Sequence, residues 1–414
     1  MNDLSNRPIA FDVAKARADF PILSKEIYGK PLVFLDSGAS AQKPQAVIDA
    51  MTYVMREEYA NVHRGVHYLS QHTTMAYEAV RGKIAAHINA SDENEVVFTR
   101  GATEAINLVA ASWGRKNLQE GDEIIVSEME HHSNIVPWQM LRDELGIVLK
   151  VAPIDDDGNF LLDAFETLLS DRTKLVAITH VSNVLGTVVP IKEVAALAHA
   201  RGALMLVDGC QGIVHMQIDV QDLDVDFYAF SGHKLYGPTA FGVLYGKKDV
   251  LADMPPYQGG GDMIASVSFE KTIYAEPPHR FEAGTPPIIE AIGFGAALDY
   301  VNGWGMDQII AHEEDVHRYA QDRLKQLPGI TVYGNAPDKQ GIVSFLVDGI
   351  HAHDVGTIVD RCGVAVRVGH HCAEPLMQRF GVEAMARASF GMYNTKEDVD
   401  ALLEAVKTAQ EFFG

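Results

Sequence analysis

Short apolar runs rich in β-branched residues alternate with helical stretches between about residues 90 and 250. Within these runs apolar residues do not alternate with polar ones, which is typical of strands that are buried on both faces. The pattern predicts a mostly parallel sheet covered by helices, with strands at 95–98, 123–126, 175–178, 203–207, 225–230 and 242–245. In such sheets ligands bind beyond the carboxyl ends of the strands, so the residues that follow these runs are the candidates for a site.

The pattern changes after about residue 290, where two long helical stretches are followed by shorter strands at 341–347, 364–368 and 387–390. This change indicates a second, smaller α+β domain. A chain of 414 residues is also too long for one ordinary core. We therefore expect three parts, namely an N-terminal segment that packs on the small domain, a large ligand-binding domain and a small C-terminal domain, over residues 1–25, 26–290 and 291–414.

Composition excludes several classes of protein. A hydrophobic share of 47% with 22% charged residues is typical of a soluble globular chain. The net charge of −22 argues against a nucleic-acid partner, because phosphate binding needs a basic face. No apolar stretch approaches the length of a membrane span, and the N-terminus lacks the pattern of a secretory signal. The cysteines are few and odd in number (Cys210, Cys362 and Cys372), which favours a reducing, cytoplasmic compartment.

Polar side chains follow four of the predicted strands. Thr103 comes after Gly101 at a predicted helix start, where free N–H groups suit a phosphate, although a helix cap explains the same residues. His131 follows the next strand and offers a ring for stacking or an acid–base group. Asp208 ends a hydrophobic strand, where it serves either as a helix cap or as the partner of a buried cation. Lys234 follows a buried strand beside Ser231 and His233, an unusual place for a solvated amine.

Together these residues form the set that pyridoxal 5'-phosphate requires. A partly desolvated lysine has a lowered pKa and forms a Schiff base with an aldehyde. The carboxylate keeps the pyridine nitrogen protonated, so that the ring accepts electrons, and the helix start holds the phosphate. The sequence therefore predicts an enzyme that depends on this cofactor.

Several motifs resemble those of a known family. The segment 231–238, SGHKLYGP, resembles the cofactor-lysine motif of class V aminotransferase-like enzymes. The segment 367–373, RVGHHCA, resembles the active-cysteine loop of group II, SufS-type cysteine desulfurases, and the similarity extends over nearly the whole chain. The resemblance implies an α/β fold of the aspartate-aminotransferase-like class (fold type I), with a mostly parallel seven-stranded sheet in the large domain.

The resemblance also implies a role for each matching residue. Lys234 would hold the cofactor and take the substrate α-proton, Asp208 would pair with the pyridinium nitrogen, and His131 would stack on the ring. Gln211 would bond the phenolic oxygen. The phosphate would be held by Thr103, Ser231 and His233, with Thr285 coming from the other subunit of a homodimer. The substrate would be bound by His63, Arg64, Asn183, Arg367 and Arg387.

Cys372 is the predicted nucleophile that takes sulfur from L-cysteine as a persulfide and leaves L-alanine. A free cysteine is more often a buried small hydrophobe, but the loop around Cys372 has little apolar sequence to bury it. His370 and His371 are alternatives as metal ligands beside Cys372, yet no second cluster with zinc spacing occurs, so we expect no metal. The implied biology is sulfur supply for iron–sulfur clusters through a SufE-like or SufU-like acceptor.

Two rival interpretations stay open at the level of sequence. The same scaffold supports other pyridoxal-phosphate reactions, including selenocysteine lyase, cysteine sulfinate lyase and kynureninase-like hydrolysis, and fold does not choose among them. Cysteine and selenocysteine differ by one chalcogen atom, which offers a small pocket little to discriminate. The second rival is a non-catalytic scaffold for sulfur assembly, although Lys234, Asp208 and Cys372 are all present.

Overall fold

A seven-stranded sheet forms the centre of the large domain in the computed structural model, which describes residues 11–414. We number its strands along the chain as β1 Val96–Thr99, β2 Glu123–Ser127, β3 Val148–Ala152, β4 Thr173–Thr179, β5 Leu204–Asp208, β6 Phe227–Ser231 and β7 Gly242–Gly246. Their spatial order is β1-β7-β6-β5-β4-β2-β3. Only β7 runs antiparallel to its neighbours, β1 and β6. The predicted mostly parallel, seven-stranded α/β fold is confirmed.

Burial on both faces explains why six of these strands have unalternated apolar sequences, whereas the edge strand β3 is partly exposed and was not predicted from the sequence. Tyr228 and Phe230 on β6 pack into one hydrophobic cluster, whereas Phe227 and Ala229 pack into a second cluster on the opposite face. Helices cover both clusters, because a parallel sheet requires crossover connections. The helices of this part of the chain are Gln45–Tyr53, Tyr68–His87, Ala102–Val109, Arg115–Asn117, Val136–Leu145, Leu162–Leu168, Ile191–His199, Gly212–His215 and Lys248–Asp253.

The small domain contains a four-stranded antiparallel sheet. Its strands are β8 Ile330–Tyr333, β9 Ile342–Val347, β10 Arg367–Gly369 and β11 Met385–Ser389, in the order β8-β9-β11-β10. The helices here are Ile288–Trp304, Met306–Gln326, Ala352–Arg361, Glu374–Phe380 and Lys396–Phe413. The prediction of one strand at 364–368 is wrong, because this segment forms two strands. Arg367–Gly369 belongs to the four-stranded sheet, whereas Val364–Ala365 pairs with Val33–Phe34.

The N-terminal segment contacts both domains. Its helix, Val13–Ala18, lies near the helices at 288–326, and Phe11 packs against Trp304. Phe20 contacts Tyr236 of the large domain. Residues 33–36, which fall in the range predicted for the large domain, pair here with strands of the small domain. The boundary at residue 25 stays a prediction, and residues 1–10 of that segment lie outside the described part of the chain.

The remaining regular elements are short. Two hairpins are formed by Glu26–Ile27 with Lys30–Pro31 and by Ile264–Val267 with Thr272–Tyr274. Single helical turns occur at Pro21–Ser24, Val54–Glu58, Glu93–Glu95, Ala110–Gly114, His132–Asn134, Gly232–Lys234 and His279–Phe281. Within residues 11–414, no helix combines the length and the apolar character that crossing a membrane demands.

Arg17 ties the N-terminal helix to the C-terminal one, which gives a stability prediction. Its guanidinium donates to Asp398 Oδ2 at 2.8 Å and to the carbonyl of Tyr393 at 2.9 Å. We expect Arg17→Ala to lower the free energy of unfolding by about 1–3 kcal/mol, because buried acceptors lose their donor. Arg56→Ala is the control, since that side chain is 74% exposed, and its effect should stay within about 0.5 kcal/mol. Urea denaturation measures both, and equal midpoints for the two variants would contradict the assignment.

Candidate active site

The carboxyl ends of the large-domain strands meet in one cavity. Residues of the loop at 38–39 and of strands β10 and β11 complete its wall. Ten of the residues predicted from sequence line this cavity, namely Thr103, His131, Asn183, Asp208, Gln211, Ser231, His233, Lys234, Arg367 and Arg387. The structure therefore brings most of the predicted set together, including the two arginines contributed by the small domain.

The helix that starts at Ala102 forms one end of the cavity. Gly101 precedes it with φ of 155°, a conformation that favours glycine, and a Cβ at Gly242 would lie 2.3 Å from the Gly101 Cα. The Ala102 amide donates to Ser231 Oγ at 2.9 Å, which fixes the hydroxyl beside the helix start. Thr103 follows in the first turn. Free N–H groups, the helix dipole and hydroxyls together suit a phosphate group.

Asp208 is buried at the end of β5, with 4% of its surface exposed. The Cys210 amide donates to its Oδ1 at 3.0 Å. Lys234 follows the adjacent strand β6 and lines the same cavity. Within residues 11–414 neither Asp208 nor Lys234 forms an ion pair. A buried carboxylate without a cationic partner is costly, so this position favours a ligand that carries a protonated nitrogen.

His131 is neutral at physiological pH. Burial, and then the positive charge of Lys234, lowers the pKa of His131 to about 4. Its Nδ1 accepts hydrogen bonds from the Ser133 amide at 3.1 Å and lies 2.8 Å from Ser133 Oγ. Because a backbone amide can only donate, Nδ1 is the acceptor and the neutral ring carries its proton on Nε2. The flat, uncharged ring at the cavity wall is suited to stacking.

Glu130 stabilises the turn that carries His131, and its role was not predicted from the sequence. Its carboxylate accepts from Ser127 Oγ at 2.5 Å, from the Thr179 amide at 2.9 Å and from Asn134 Nδ2 at 2.7 Å. Burial raises the pKa of Glu130 to about 7 despite these donors. The contacts join the ends of β2 and β4, and so fix the turn that carries His131. A strand-end position next to His131 was its only signal in the sequence.

Arg387 provides a buried cation opposite the strand ends. It is 1% exposed, donates to the Asn183 carbonyl at 2.7 Å and to Asp36 Oδ1 at 3.2 Å, and leaves its Nε without a partner among residues 11–414. Burial lowers the pKa of Arg387 to about 10, with Asp36 acting in the opposite direction, so the guanidinium stays charged at pH 7. This group is available for a carboxylate ligand.

Cys372 approaches the cavity on a loop of the small domain. Arg367, which lines the cavity, donates from Nη2 to Cys372 Sγ at 3.5 Å. His371 and Cys372 both have positive φ, 53° and 57°, which is uncommon for residues other than glycine. His371 Nε2 lies 3.0 Å from the Met385 carbonyl, to which it donates. The loop is thus a defined turn that presents the thiol beside a cation.

Four predicted residues do not line this cavity in the single chain: Cys372, which contacts Arg367 at its wall, and His63, Arg64 and Thr285. His63 and Arg64 line a separate cavity, where His63 bonds Glu78 at 2.7 Å and Arg64 bonds Asp262 at 2.6 Å. Thr285 lines a third cavity. The expectation that His63 and Arg64 line the substrate pocket is therefore not met within one chain. The predicted contribution of Thr285 from a second subunit stays a prediction.

Pyridoxal 5'-phosphate fits the residues of the cavity. The helix start at Ala102 matches its phosphate, Asp208 matches its ring nitrogen and Lys234 matches its aldehyde. Gln211 donates from Nε2 to the Gly38 carbonyl at 2.9 Å and has its Oε1 buried without a partner among residues 11–414. His233 Nδ1 is likewise buried and unpaired there. Buried polar atoms left unpaired at the wall are those that a polar ligand would satisfy.

The neutral state of His131 gives a spectroscopic prediction. Selective carbon NMR of the histidine rings, assigned by comparison with His131→Gln, should show no titration of His131 between pH 8 and about 5. An unperturbed histidine titrates near ~6.5. Lys234→Ala should raise the pKa of His131, because it removes the positive charge that lowers this pKa most. A His131 signal that titrates near neutral pH in the wild type would contradict the burial of this ring.

Gly209 permits the close packing behind Asp208 and gives a second prediction. A Cβ at Gly209 would lie 2.0 Å from ring carbon Cε1 of Tyr228, which is fully buried and cannot move aside. We expect Gly209→Ala to lower the free energy of unfolding by about 1–3 kcal/mol and to reduce the amount of cofactor bound per chain. Gly303→Ala, with no atom within 4 Å of its Cβ, is the control and should be neutral. Thermal midpoints and cofactor absorbance per chain test this, and identical behaviour of the two variants would disprove it.

Comparison with known proteins agrees with this geometry. The family model described as aminotransferase class-V matches residues 33–402. The chain is 50% identical over 407 residues to a cysteine desulfurase of Pectobacterium carotovorum, with 98% of this chain and 100% of the relative covered. It is 53% identical to a probable cysteine desulfurase of Halalkalibacterium halodurans, covering 95% of this chain and 97% of the relative.

A solved structure gives the same assignment. The crystal structure of the cysteine desulfurase CsdA from Escherichia coli, in its S-sulfonic acid form, superposes with a TM-score of 0.91 at 41% identity. The match covers 98% of this chain and 100% of that one. A family model that spans most of the chain, together with relatives of this identity, establishes the family. The chain belongs to the class V aminotransferase family.

Proposed function

We propose that this chain is a pyridoxal-phosphate-dependent cysteine desulfurase, which converts L-cysteine to L-alanine and transfers the sulfur to Cys372 as a persulfide. The observation that carries the proposal is the contact between Arg367 and Cys372 Sγ at 3.5 Å. Arg367 lines the cavity that also contains Asp208 and Lys234. A thiol therefore lies beside the cofactor set, which a reaction without a sulfur acceptor does not need.

Substrate binding rests on the small domain. The substrate carboxylate is placed against Arg387, whose charge is buried and whose Nε is free to donate. Asn183 lies next to it, since its carbonyl accepts from Arg387 at 2.7 Å. This placement directs the amino group and the α-carbon of L-cysteine towards Lys234 on the opposite wall. Arg387 and Asn183 are both held by hydrogen bonds before the substrate binds, which lowers the entropic cost of orienting the substrate.

Proton transfer at the α-carbon falls to Lys234. Pyridoxal phosphate, when bound, supplies the electron sink that makes the α-proton of an amino acid acidic. Asp208 keeps the ring nitrogen protonated, because a buried carboxylate favours a cation beside it. His131 presents an uncharged ring to the cofactor, and Gln211 is placed to bond the phenolic oxygen. Thr103, Ser231 and His233 hold the phosphate end.

Sulfur transfer is a nucleophilic step of the Cys372 thiolate. The thiolate attacks the substrate sulfur, a sulfur–sulfur bond forms and the bond between sulfur and the β-carbon breaks. The electron pair of the broken bond stays with the substrate carbon, which takes up a proton and leaves as alanine. Arg367 donates from Nη2 to Cys372 Sγ at 3.5 Å and so holds the attacking sulfur at the edge of the cavity.

Three further features belong to the proposal. A homodimer is supported by large apolar side chains that are exposed in the single chain, among them Val66, Tyr68, Met75, Val267 and Phe269. Delivery of the persulfide to a SufE-like or SufU-like acceptor for iron–sulfur cluster assembly rests on the resemblance of the Cys372 loop. A cytoplasmic location is supported by three free cysteines.

Selenocysteine lyase activity is the second candidate. The pocket that accepts cysteine offers no group that would exclude a selenium atom in place of sulfur. The carbon–selenium bond is weaker than the carbon–sulfur bond, so selenium can leave as the neutral element while the bonding electron pair stays on the carbon that becomes alanine, without a nucleophilic attack by Cys372. The two activities therefore differ in their dependence on Cys372.

Removal of Cys372 tests the proposal directly. Wild type loaded with cofactor should release alanine from L-cysteine, and Cys372→Ala should lose at least about 99% of that rate, because the sulfur acceptor is absent. Cys362→Ala is the matched control, since Cys362 packs against the core of the small domain, and it should keep its activity. Alanine is measured in single and multiple turnovers under one reductant.

The other outcomes separate the rivals. Equal alanine release from wild type and Cys372→Ala would remove the persulfide role and indicate a lyase. Alanine from selenocysteine but not from cysteine would favour the second candidate. A purified protein that binds no pyridoxal phosphate would indicate a non-catalytic scaffold.

A further inference from the structure

The loop that carries Cys372 has a strained backbone conformation, which contacts with its surroundings hold in place. His371 and Cys372 both lie in the left-handed region, with φ of 53° and 57°. Two consecutive non-glycine residues in this region cost free energy, so surrounding contacts must stabilise the turn. Within the loop only the Ala373 amide bonds locally, to the His370 carbonyl at 2.9 Å. Arg367 and the Met385 carbonyl contact the loop from the small domain, and three further hydrogen bonds come from the large domain.

His132 makes two of these contacts, one to Cys372 itself and one to the residue two positions after it. Its backbone amide donates to the Cys372 carbonyl at 2.7 Å. Its ring Nε2 accepts from the Glu374 amide at 3.0 Å. A third contact comes from Asn183, whose Nδ2 donates to the His371 carbonyl at 2.7 Å. The loop is thus docked on the ends of β2 and β4, next to the cavity wall.

The ring contact defines the state of His132. A backbone amide can only donate, so Nε2 of His132 must be unprotonated and a neutral ring carries its hydrogen on Nδ1. Glu374 is the first residue of helix Glu374–Phe380, where the amide has no partner within the helix. His132 therefore satisfies a helix-terminal donor across the domain boundary. A side chain without an acceptor at this position would leave that donor unpaired.

We propose that His132 is a positioning residue that docks the Cys372 loop against the large domain, and so sets the approach of the thiol to the substrate sulfur. The inference rests on the proposed role of Cys372. His132 does not line the cavity, so it acts on sulfur transfer alone and leaves cofactor and substrate binding to the residues described above. The neighbouring His131 faces the cavity, which gives the two adjacent histidines separate roles.

Two substitutions separate docking from simple packing. His132→Leu keeps a side chain of moderate size but removes the ring nitrogen that accepts the hydrogen bond. His132→Gln keeps an acceptor of similar reach. His353→Leu, on an exposed helix end of the small domain, is the control. The backbone amide of His132 is present in all variants, so the comparison isolates the contact to the Glu374 amide.

The first readout is hydrogen exchange of the Glu374 amide in the holoenzyme. We expect exchange in His132→Leu to be about five- to tenfold faster than in wild type, as the loss of one net hydrogen bond implies. His132→Gln should restore most of the protection, and His353→Leu should leave it unchanged. Unchanged protection in His132→Leu would overturn the docking role, whatever the activity of the protein.

The second readout divides the reaction. In a single turnover with L-cysteine, the absorbance change of the bound cofactor should occur at the wild-type rate in His132→Leu, whereas alanine release should be about tenfold slower. His132→Gln should recover alanine release. Equal slowing of both signals, or no recovery with glutamine, would overturn the proposal. Failure of the desulfurase assignment is distinguished from this, because wild type and Cys372→Ala would then release equal alanine.

Discussion

The buried, unpaired Asp208 carboxylate is the constraint on which the rest of the site depends. A carboxylate with 4% exposure and no ion pair among residues 11–414 is unfavourable unless a ligand supplies a cation. The central position of β5 in the sheet fixes the backbone of Asp208, and the tight packing of Gly209 on Tyr228 prevents it from moving away. The fold therefore holds in place a charge whose cost a cationic ligand would offset, and we propose that the ring nitrogen of the cofactor is that cation.

The second domain completes the chemistry rather than the fold. Arg387 on β11 and Arg367 on β10 both reach the cavity formed by the strand ends of the large domain. Arg387 is in turn attached to the large domain through the Asn183 carbonyl. The contact that holds Arg387, the proposed partner of the substrate carboxylate, thus also joins the two domains. A change in domain packing would move the carboxylate site and the Cys372 loop together, since Asn183 contacts both.

Sequence predicted the parts of the molecule that depend on local pattern. Six of the seven strands of the large sheet were recognisable because burial on both faces leaves unalternated apolar runs, and residues just after them formed the cavity. The edge strand β3 was missed, because it is partly exposed and lacks such a run. The split of 364–368 into two strands was not recognisable, because Val364–Ala365 pairs with a segment more than 300 residues away. Likewise, sequence spacing cannot place His63 and Arg64, whose side chains turn towards Glu78 and Asp262 in the single chain.

The roles of Glu130 and His132 were beyond the sequence for a different reason. Both lie in a run of polar residues after β2, where His131 alone has an obvious use. Their roles depend on partners supplied by other elements, Thr179 for Glu130 and Glu374 for His132. One strand end thus carries three adjacent residues with different partners: Glu130 bonds Thr179, His131 faces the cavity where we propose that the cofactor binds, and His132 bonds the loop of the proposed nucleophile. The residue docked at this strand end is a cysteine, the group that the proposed reaction requires as its sulfur acceptor.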